Sequence, residues 1–275
     1  MDDVCFVQTV FDFTCFSIFN SLSNVWCNCA GFWVAKNTAK ATEYLKAAKD
    51  AADQLMNMGK YSLCANFKDL TTSISLAGNP EIIVYREYEE GILMHSLMSF
   101  QNTEAEGSSP SRSLVESYLS ANGLPIHQAE NTQYKGDKWF FDEFADRDPR
   151  LYDNIDPAGL RIEGSGVVAY AATGYFAHLF VNPSLLNVPG GMSSTNITDA
   201  PVMKYNEVLM NYIEAAAELA DMGQYNLTQG DFDKTINALR NRPSTSMPAV
   251  TLAGSNLAVN GVAPNVATPA EALRG

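Results

Sequence analysis

Two segments of this chain end in the same way, and that echo limits the possible fold more than any other feature. From Lys36 onward, Ala41, Tyr44, Leu45, Ala48, Ala52 and Leu55 recur at the spacing of one helix face, the period of an amphipathic helix. Thr38 stands where a cap is wanted. A second apolar stripe follows Asp199 and Pro201: Val202, Tyr205, Leu209, Tyr212, Ile213, Ala216 and Ala220. The first segment closes as Met58-Gly59-Lys60-Tyr61-Ser62-Leu63, the second as Met222-Gly223-Gln224-Tyr225-Asn226-Leu227. Glycine takes the left-handed position beyond a helix end without steric cost, and the tyrosine and leucine after it can fold back on the last turn. Such units bury their faces on one another, as tetratricopeptide-like helical hairpins do. A third helix is predicted over Asp231 to Asn241, with Phe232, Ile236 and Leu239 on one face and Pro243 as its stop. The expected class is mainly α, with tetratricopeptide-like helical hairpins beside a loop-rich irregular subregion.

The stretches between these helices read differently. Glu81-Ile82-Ile83-Val84-Tyr85 is a β-prone run after the turn Gly78-Asn79-Pro80. Residues 101–113 form a polar loop, and Leu114 to Leu119 a short helix. Residues 120–200 are rich in Gly, Pro and Asn, the long ordered loops on a scaffold where binding surfaces concentrate. After Pro243 the composition turns to Ala, Gly, Asn and Pro, and no closing element is expected. Residues 1–35 stand apart. They hold no Lys or Arg and eight aromatics: Phe6, Phe11, Phe13, Phe16, Phe19, Trp26, Phe32 and Trp33. Asp2, Asp3 and Asp12 fit no secretory signal, and Asn20, Ser21, Ser23 and Asn24 break any membrane-length apolar run. The segment reads as a frameshifted or misassigned start, or as a hydrophobic strand pair, ahead of a domain over 36–275.

Charge removes some functions. The net charge is -13 and the pI about 4.6, which repels phosphate backbones and anionic lipid but not neutral sugars. The five cysteines are Cys5, Cys15, Cys27, Cys29 and Cys64, and the histidines are His95, His127 and His178. They make no C-x-x-C pair and no zinc spacing, so no metal or other cofactor is expected.

Several motifs then occur in a familiar order. Asp146-Arg147-Asp148-Pro149-Arg150-Leu151-Tyr152 resembles the RDPRL signature of SusD/RagB proteins. Thr173-Gly174-Tyr175 is similar to the T-G-Y segment of that family. The run from Asp199 through Ala215 resembles its D-x-P-x-x-R-Y-A-E-V-L-L-x-Y-A-E-A helix, with Lys204 and Asn206 as departures. Ile236-Asn237-Ala238-Leu239-Arg240-Asn241-Arg242 is similar to the following I-N-x-L-R-x-R element, and Asn79-Pro80-Glu81-Ile82-Ile83 and Asn122-Gly123-Leu124-Pro125-Ile126 also fit. The resemblance implies a non-catalytic, lipid-anchored protein of the outer membrane in Bacteroidetes-type bacteria. Such a protein binds polysaccharide, oligosaccharide or another nutrient and covers a SusC-like TonB-dependent transporter. Against that pattern the lipobox and N-terminal helices are not legible in residues 1–35, and a C-terminal helical segment is expected beyond Gly275. The chain thus reads as an incomplete copy, anchored only in its full-length form.

Four functions compete on these residues: glycan binding for uptake, a helical scaffold gripping a peptide or transporter, a hydrolase, and a non-functional gene fragment. Sugar binding needs flat aromatic faces and a few placed polar groups. The candidates are Trp139 first, beside Asp137 and Lys138, then Tyr134, Tyr152, Tyr170 and Tyr175, with Phe140 and Phe141 adjoining. Trp139-Phe140-Phe141 also reads as core, and Tyr85 and Tyr88 as packing. Arg147, Asp148 and Arg150 are expected to form an ion network that pins a loop. Glu207, Glu214 and Glu218 lie along one helix face. The first two are roughly 10 Å apart at 1.5 Å rise per residue, and they project in parallel rather than from opposite sides of a sugar. Salt bridges to Lys204, Arg240 or Arg242 suit them better than hydrolysis.

Overall fold

The computed structural model describes residues 37–97, 109–156, 173–185, 188–191, 194–254 and 256–263. Its helices are α1 (Thr38–Asn57), α2 (Asp69–Thr72), α3 (Arg112–Ser117), α4 (Phe140–Phe144), α5 (Pro149–Asn154), α6 (Tyr205–Asp221), α7 (Gln229–Asp233) and α8 (Ile236–Arg240). The strands are β1 (Ile82–Arg86), β2 (Ala200–Lys204), β3 (Val250–Ala253) and β4 (Asn256–Val259); β1 pairs with β2 and β3 with β4. The described residues are thus mainly helical with few strands. They form two compact units. Of the described residues, one takes those up to Leu63, Met203–Asn241 and those from Ala249; the other takes those within Cys64–Val202 and Arg242–Pro248. The atypical segment 1–35 lies outside the described residues.

In the first unit α1 buries Ala41, Leu45, Ala48, Ala52 and Leu55, as the periodicity predicts. Its partner α6 buries Val208, Leu209, Tyr212, Ile213 and four further small or branched residues. Tyr61, just past the end of α1, stacks on Tyr205 at the start of α6 with centroids 6.4 Å apart, so the two helices run antiparallel. The alanines of α1 let the backbones approach closely. Gly59 and Gly223 sit at φ +61° and +66°, the left-handed exits expected of both helices. Asn37, not Thr38, caps α1, its side chain accepting from the Lys40 amide at 3.2 Å.

Other expectations need correction. Residues 200–204 are strand, and Val202 is 55% exposed; Pro201 cannot donate in a helix, and the β-branched neighbour extends the chain. The third helix is two short ones, because Thr235 leaves helical geometry at φ -124°, ψ -93°. Its hydroxyl donates to Asp231 O at 2.5 Å, and such local bonding competes with the helix ladder. Asp231 gathers this corner: Oδ1 accepts from the hydroxyls of Tyr212 at 2.8 Å and Tyr225 at 3.0 Å. Its Oδ2 accepts from Thr228 N at 2.9 Å and Thr228 Oγ1 at 2.8 Å. Burial pushes the Asp231 carboxyl up, but these four donors together hold it below the usual carboxylate range. The Glu207 carboxylate does pair with Lys204, at 2.6 Å, and also accepts the Lys204 amide at 3.3 Å.

A closing element does follow Pro243. β3 and β4 form an antiparallel hairpin with Val250 opposite Val259 and Leu252 opposite Leu257. The outer edge of β3 is covered by side-chain amides. Gln229 takes Leu252 N at 2.7 Å and gives to Val250 O at 3.0 Å; Asn237 takes Val250 N at 2.7 Å and gives to Val250 O at 2.9 Å. Two amides thus stand in for a third strand and blunt an edge open to foreign pairing.

The second unit packs Val115, Phe144, Leu151, Ile155 and Tyr175 in one cluster and Cys64, Leu70, Leu76 and Ile82 in another. Glu81 and Arg242, 0% and 2% exposed at the side chain, meet at 2.7 Å, and Glu81 also accepts the Cys64 amide at 2.9 Å. Arg242 is therefore the partner of Glu81 rather than of the α6 glutamates. Burial of the Cys64 thiol beside Glu81 pushes it up to about 12.

The segment 146–151 holds three parts of this unit together. Asp148 caps α5, accepting the Arg150 amide at 2.9 Å, with Pro149 at the first helical position. Its carboxylate takes a two-point bond from Arg150, Nε at 3.0 Å and the terminal nitrogen at 2.5 Å. Arg147 departs from the expected ion network. It is 2% exposed and donates to four backbone carbonyls: Glu143, Val115 and Tyr118 at 2.8 Å and Leu119 at 3.3 Å. Val115 O also accepts the Tyr118 amide at 3.3 Å and Leu119 O the Asp148 amide at 2.9 Å, so the guanidinium fills the remaining acceptor capacity at this helix exit and is satisfied in turn. Burial holds Arg147 below the usual guanidinium range. Leu151 then enters the core at 0% exposure.

His95 is fixed in one neutral tautomer. Its Nε2 donates to Thr198 O at 2.8 Å, its Nδ1 accepts from Leu97 N at 3.0 Å, and its ring meets Tyr88 edge-on at 4.5 Å. Burial lowers its pKa, against the Thr198 carbonyl and the Asp199 carboxylate.

Two expectations follow. Arg147→Met removes the four guanidinium bonds from this buried backbone and should cost about 3 kcal/mol in urea unfolding. Arg147→Lys, with one point charge in place of the planar fork, should recover less than half; full recovery would show that charge alone suffices. For His95 the folded pKa lies below the unfolded one, so its contribution is complete above about pH 6.5 and is lost as pH falls toward the folded value. Melting temperatures between pH 7.5 and 5 should decline, and His95→Gln, whose amide can make both bonds, should flatten that decline. An identical slope in the variant would remove His95 as its source.

Candidate functional site

The loop-rich residues from 134 to 152 carry most of the predicted aromatics, and their backbone is pinned from below. Trp139 is the N-cap of α4 in extended geometry, and its carbonyl accepts from the amides of Asp142 at 3.0 Å and Glu143 at 3.1 Å. Phe140 turns inward, stacked on Phe144 with centroids 4.6 Å apart. That inward anchor throws its two neighbours outward: Trp139 is 64% exposed and Phe141 is 74% exposed. The triplet is therefore split between packing and surface, because successive positions on one helical turn point in different directions. Arg147 ties the end of this helix through Glu143 O.

The predicted tyrosines divide by burial. Tyr134 is half-buried, with the Arg147 guanidinium 5.5 Å from its ring centroid and His127 edge-on at 6.4 Å. Tyr152 donates its hydroxyl to Phe144 O and lays its ring against Phe144 at 6.1 Å. Tyr175 is 8% exposed and gives its hydroxyl to Glu143 Oε1 at 2.8 Å. Burial, then that carboxylate, push its pKa up. Its ring packs in the cluster of Val115, Phe144, Leu151 and Ile155. Tyr170 lies outside the described residues. Tyr85 packs against the Cys64 cluster, and Tyr88 against His95, in agreement with the packing reading.

What reaches solvent around Trp139 is mixed. Arg112, at the start of α3, donates through Nε to Glu116 at 2.6 Å and through its terminal nitrogen to Asp137. Those carboxylates, Glu116 first, raise its pKa. Arg112 was not legible as a site neighbour, because its contact with Asp137 spans 25 residues. Asp148 and Arg150 serve α5, and Glu207 the start of α6; Glu214 and Arg240 lie on α6 and α8. Among the described residues no group of three or more His, Cys, Asp or Glu is placed to hold a metal ion. No described helix is long and apolar enough to cross a membrane.

The sequence profile of the SusD family matches residues 98–256, more than half of the chain. No curated protein matches it. Among solved structures, a SusD-like carbohydrate-binding protein from Bacteroides fragilis superposes at TM-score 0.57. It is 23% identical over 78% of this chain and 44% of its own. A second SusD-like protein from the same organism reaches TM-score 0.54 at 19% identity, over 77% of this chain and 46% of its own. This chain spans less than half the length of these relatives, and at such identity the likeness concerns the fold. On the profile match, the order of its motifs and the shared fold, the chain belongs to the SusD family.

Proposed function

We propose that this chain is part of a non-catalytic glycan-binding protein of an outer-membrane uptake system. Its ligand is a polysaccharide or oligosaccharide, and its partner a SusC-like TonB-dependent transporter. Membrane association through a lipid anchor belongs to the full-length protein. Family membership and a solved relative described as carbohydrate-binding support this reading. We read the α1–α6 pair, with its matching Met-Gly-x-Tyr-x-Leu exits, as a tetratricopeptide-like unit of the scaffold.

The observation that carries the proposal is Trp139, a large aromatic ring 64% exposed on a backbone held by two amides and an inward anchor. Exposing a tryptophan wastes apolar burial unless something covers it. The negative face of an aromatic ring attracts the slightly positive C–H edge of a pyranose, and a rigid ring loses little conformational entropy on binding. Tyr134 and Tyr152, half-buried nearby in sequence, supply further ring edges. The carboxylates of this region offer hydrogen-bond acceptors for hydroxyl groups rather than a nucleophile paired with an acid.

Trp139→Ala should weaken binding to any polysaccharide the chain retains by about tenfold or more, near 1.4 kcal/mol, in isothermal titration. Tyr175→Phe should lower the melting temperature and leave affinity unchanged. Equal affinity of Trp139→Ala and the parent would contradict the assignment of this ring.

A further inference from the structure

Resting on the glycan reading of the Trp139 surface, we infer that this surface selects neutral, hydroxyl-rich glycans and rejects those carrying carboxylate or sulfate groups. The argument is one of charge already committed. Recognition of an acidic sugar needs a cation with open donors, and the planar arginine fork suits it best. The arginine at hand is Arg112, and its fork is engaged from two sides, by Glu116 through Nε and by Asp137 through a terminal nitrogen. Lys135 is held by Asp146 at 3.0 Å. Arg147 is spent on backbone carbonyls and Arg150 on Asp148, and Lys138 is exposed beside Trp139.

Over residues 112–150 five cations (Arg112, Lys135, Lys138, Arg147 and Arg150) thus stand against seven carboxylates (Glu116, Glu130, Asp137, Asp142, Glu143, Asp146 and Asp148). The local field is negative before the net charge of -13 on the whole chain is considered. An incoming carboxylate or sulfate meets like charge, and like-charge juxtaposition is the usual means of rejecting a wrong partner. A neutral pyranose meets no such penalty. Its C–H face covers the Trp139 ring, and its hydroxyls donate to carboxylate oxygens that carry spare lone pairs. Both halves of that match are present on one short stretch of chain.

Affinity electrophoresis of the whole chain in native gels tests this. The probes are neutral polysaccharides (β-glucan, xylan, galactomannan, starch) and acidic ones (polygalacturonate, alginate, chondroitin sulfate). Retardation is expected with at least one neutral polymer, lost in Trp139→Ala, and with none of the acidic ones. The double variant Glu116→Gln/Asp137→Asn frees the Arg112 fork and should gain retardation in polygalacturonate by about threefold or more. Stronger binding of the parent to an acidic polymer than to any neutral one would overturn the selectivity and leave the glycan reading standing. Binding to neither class would overturn both. A double variant as indifferent to polygalacturonate as the parent would show that the committed arginine is not the cause of rejection.

Discussion

Four carbonyl oxygens converge on the Arg147 guanidinium, and the loop-rich unit depends on that meeting. The carbonyls of Val115, Tyr118 and Leu119 belong to the end of α3 and its exit, and that of Glu143 to α4. A six-residue helix and a five-residue helix cannot hold themselves in water, because nucleation costs more than so few bonds return. Here their loose ends are fastened to one planar group with fixed donor directions. The same short segment caps α5 through Asp148 and sends Leu151 into the core. The signature that marks the family is, in this chain, a device for ordering irregular backbone without a sheet.

The same solution recurs with other chemistry. In the first unit the Asp231 carboxylate accepts four hydrogen bonds and fixes the corner between α6 and α7. Lys234 completes it, 3.9 Å from the Tyr212 ring centroid and 3.1 Å from Asp53. In the second unit Glu81 and Arg242 bring together residues 161 apart in sequence. Buried charges are costly unless every lone pair and donor is met. Each of these groups is met by backbone or by a fixed partner, and so each specifies an arrangement that apolar packing alone would leave loose. At Gly191 the constraint is steric: a Cβ would fall 1.9 Å from Leu185 O.

The long-period features were legible in the sequence. The α1 stripe, both glycine exits and the strand after Asn79-Pro80 all depend on neighbours within a turn or two, which local pattern reports faithfully. α3 begins two residues before its apolar pattern does, since Ser111 supplies its cap. The misses have a common cause. β2 looked like the first turn of α6 because apolar spacing continues through Val202, and only its pairing with β1 makes it a strand. The β3–β4 hairpin is hidden by a bland composition, whereas Asn260-Gly261, both at positive φ, turns the chain after β4 and brings Val262 back against Val259. Gln229 and Asn237, which cover its edge, lie on other elements. Sequence spacing puts Arg147 in an ion network, because nothing local reveals which distant carbonyls will converge on it. In the site, Trp139 was named from its residue type, whereas its exposure follows from the inward turn of Phe140.

Structure and proposal meet at that turn. Phe140 packs on the core cluster, Trp139 and Phe141 face solvent, and the backbone between them is fixed by α4 amides and by Arg147. A ring displayed on so constrained a base is preorganised for a flat ligand. The most direct measurement is a crystal structure of the chain with a bound neutral oligosaccharide. The account predicts a pyranose ring stacked on Trp139 with the backbone of residues 139–148 unmoved. A sugar seated elsewhere, with the Trp139 ring bare to solvent, would contradict it.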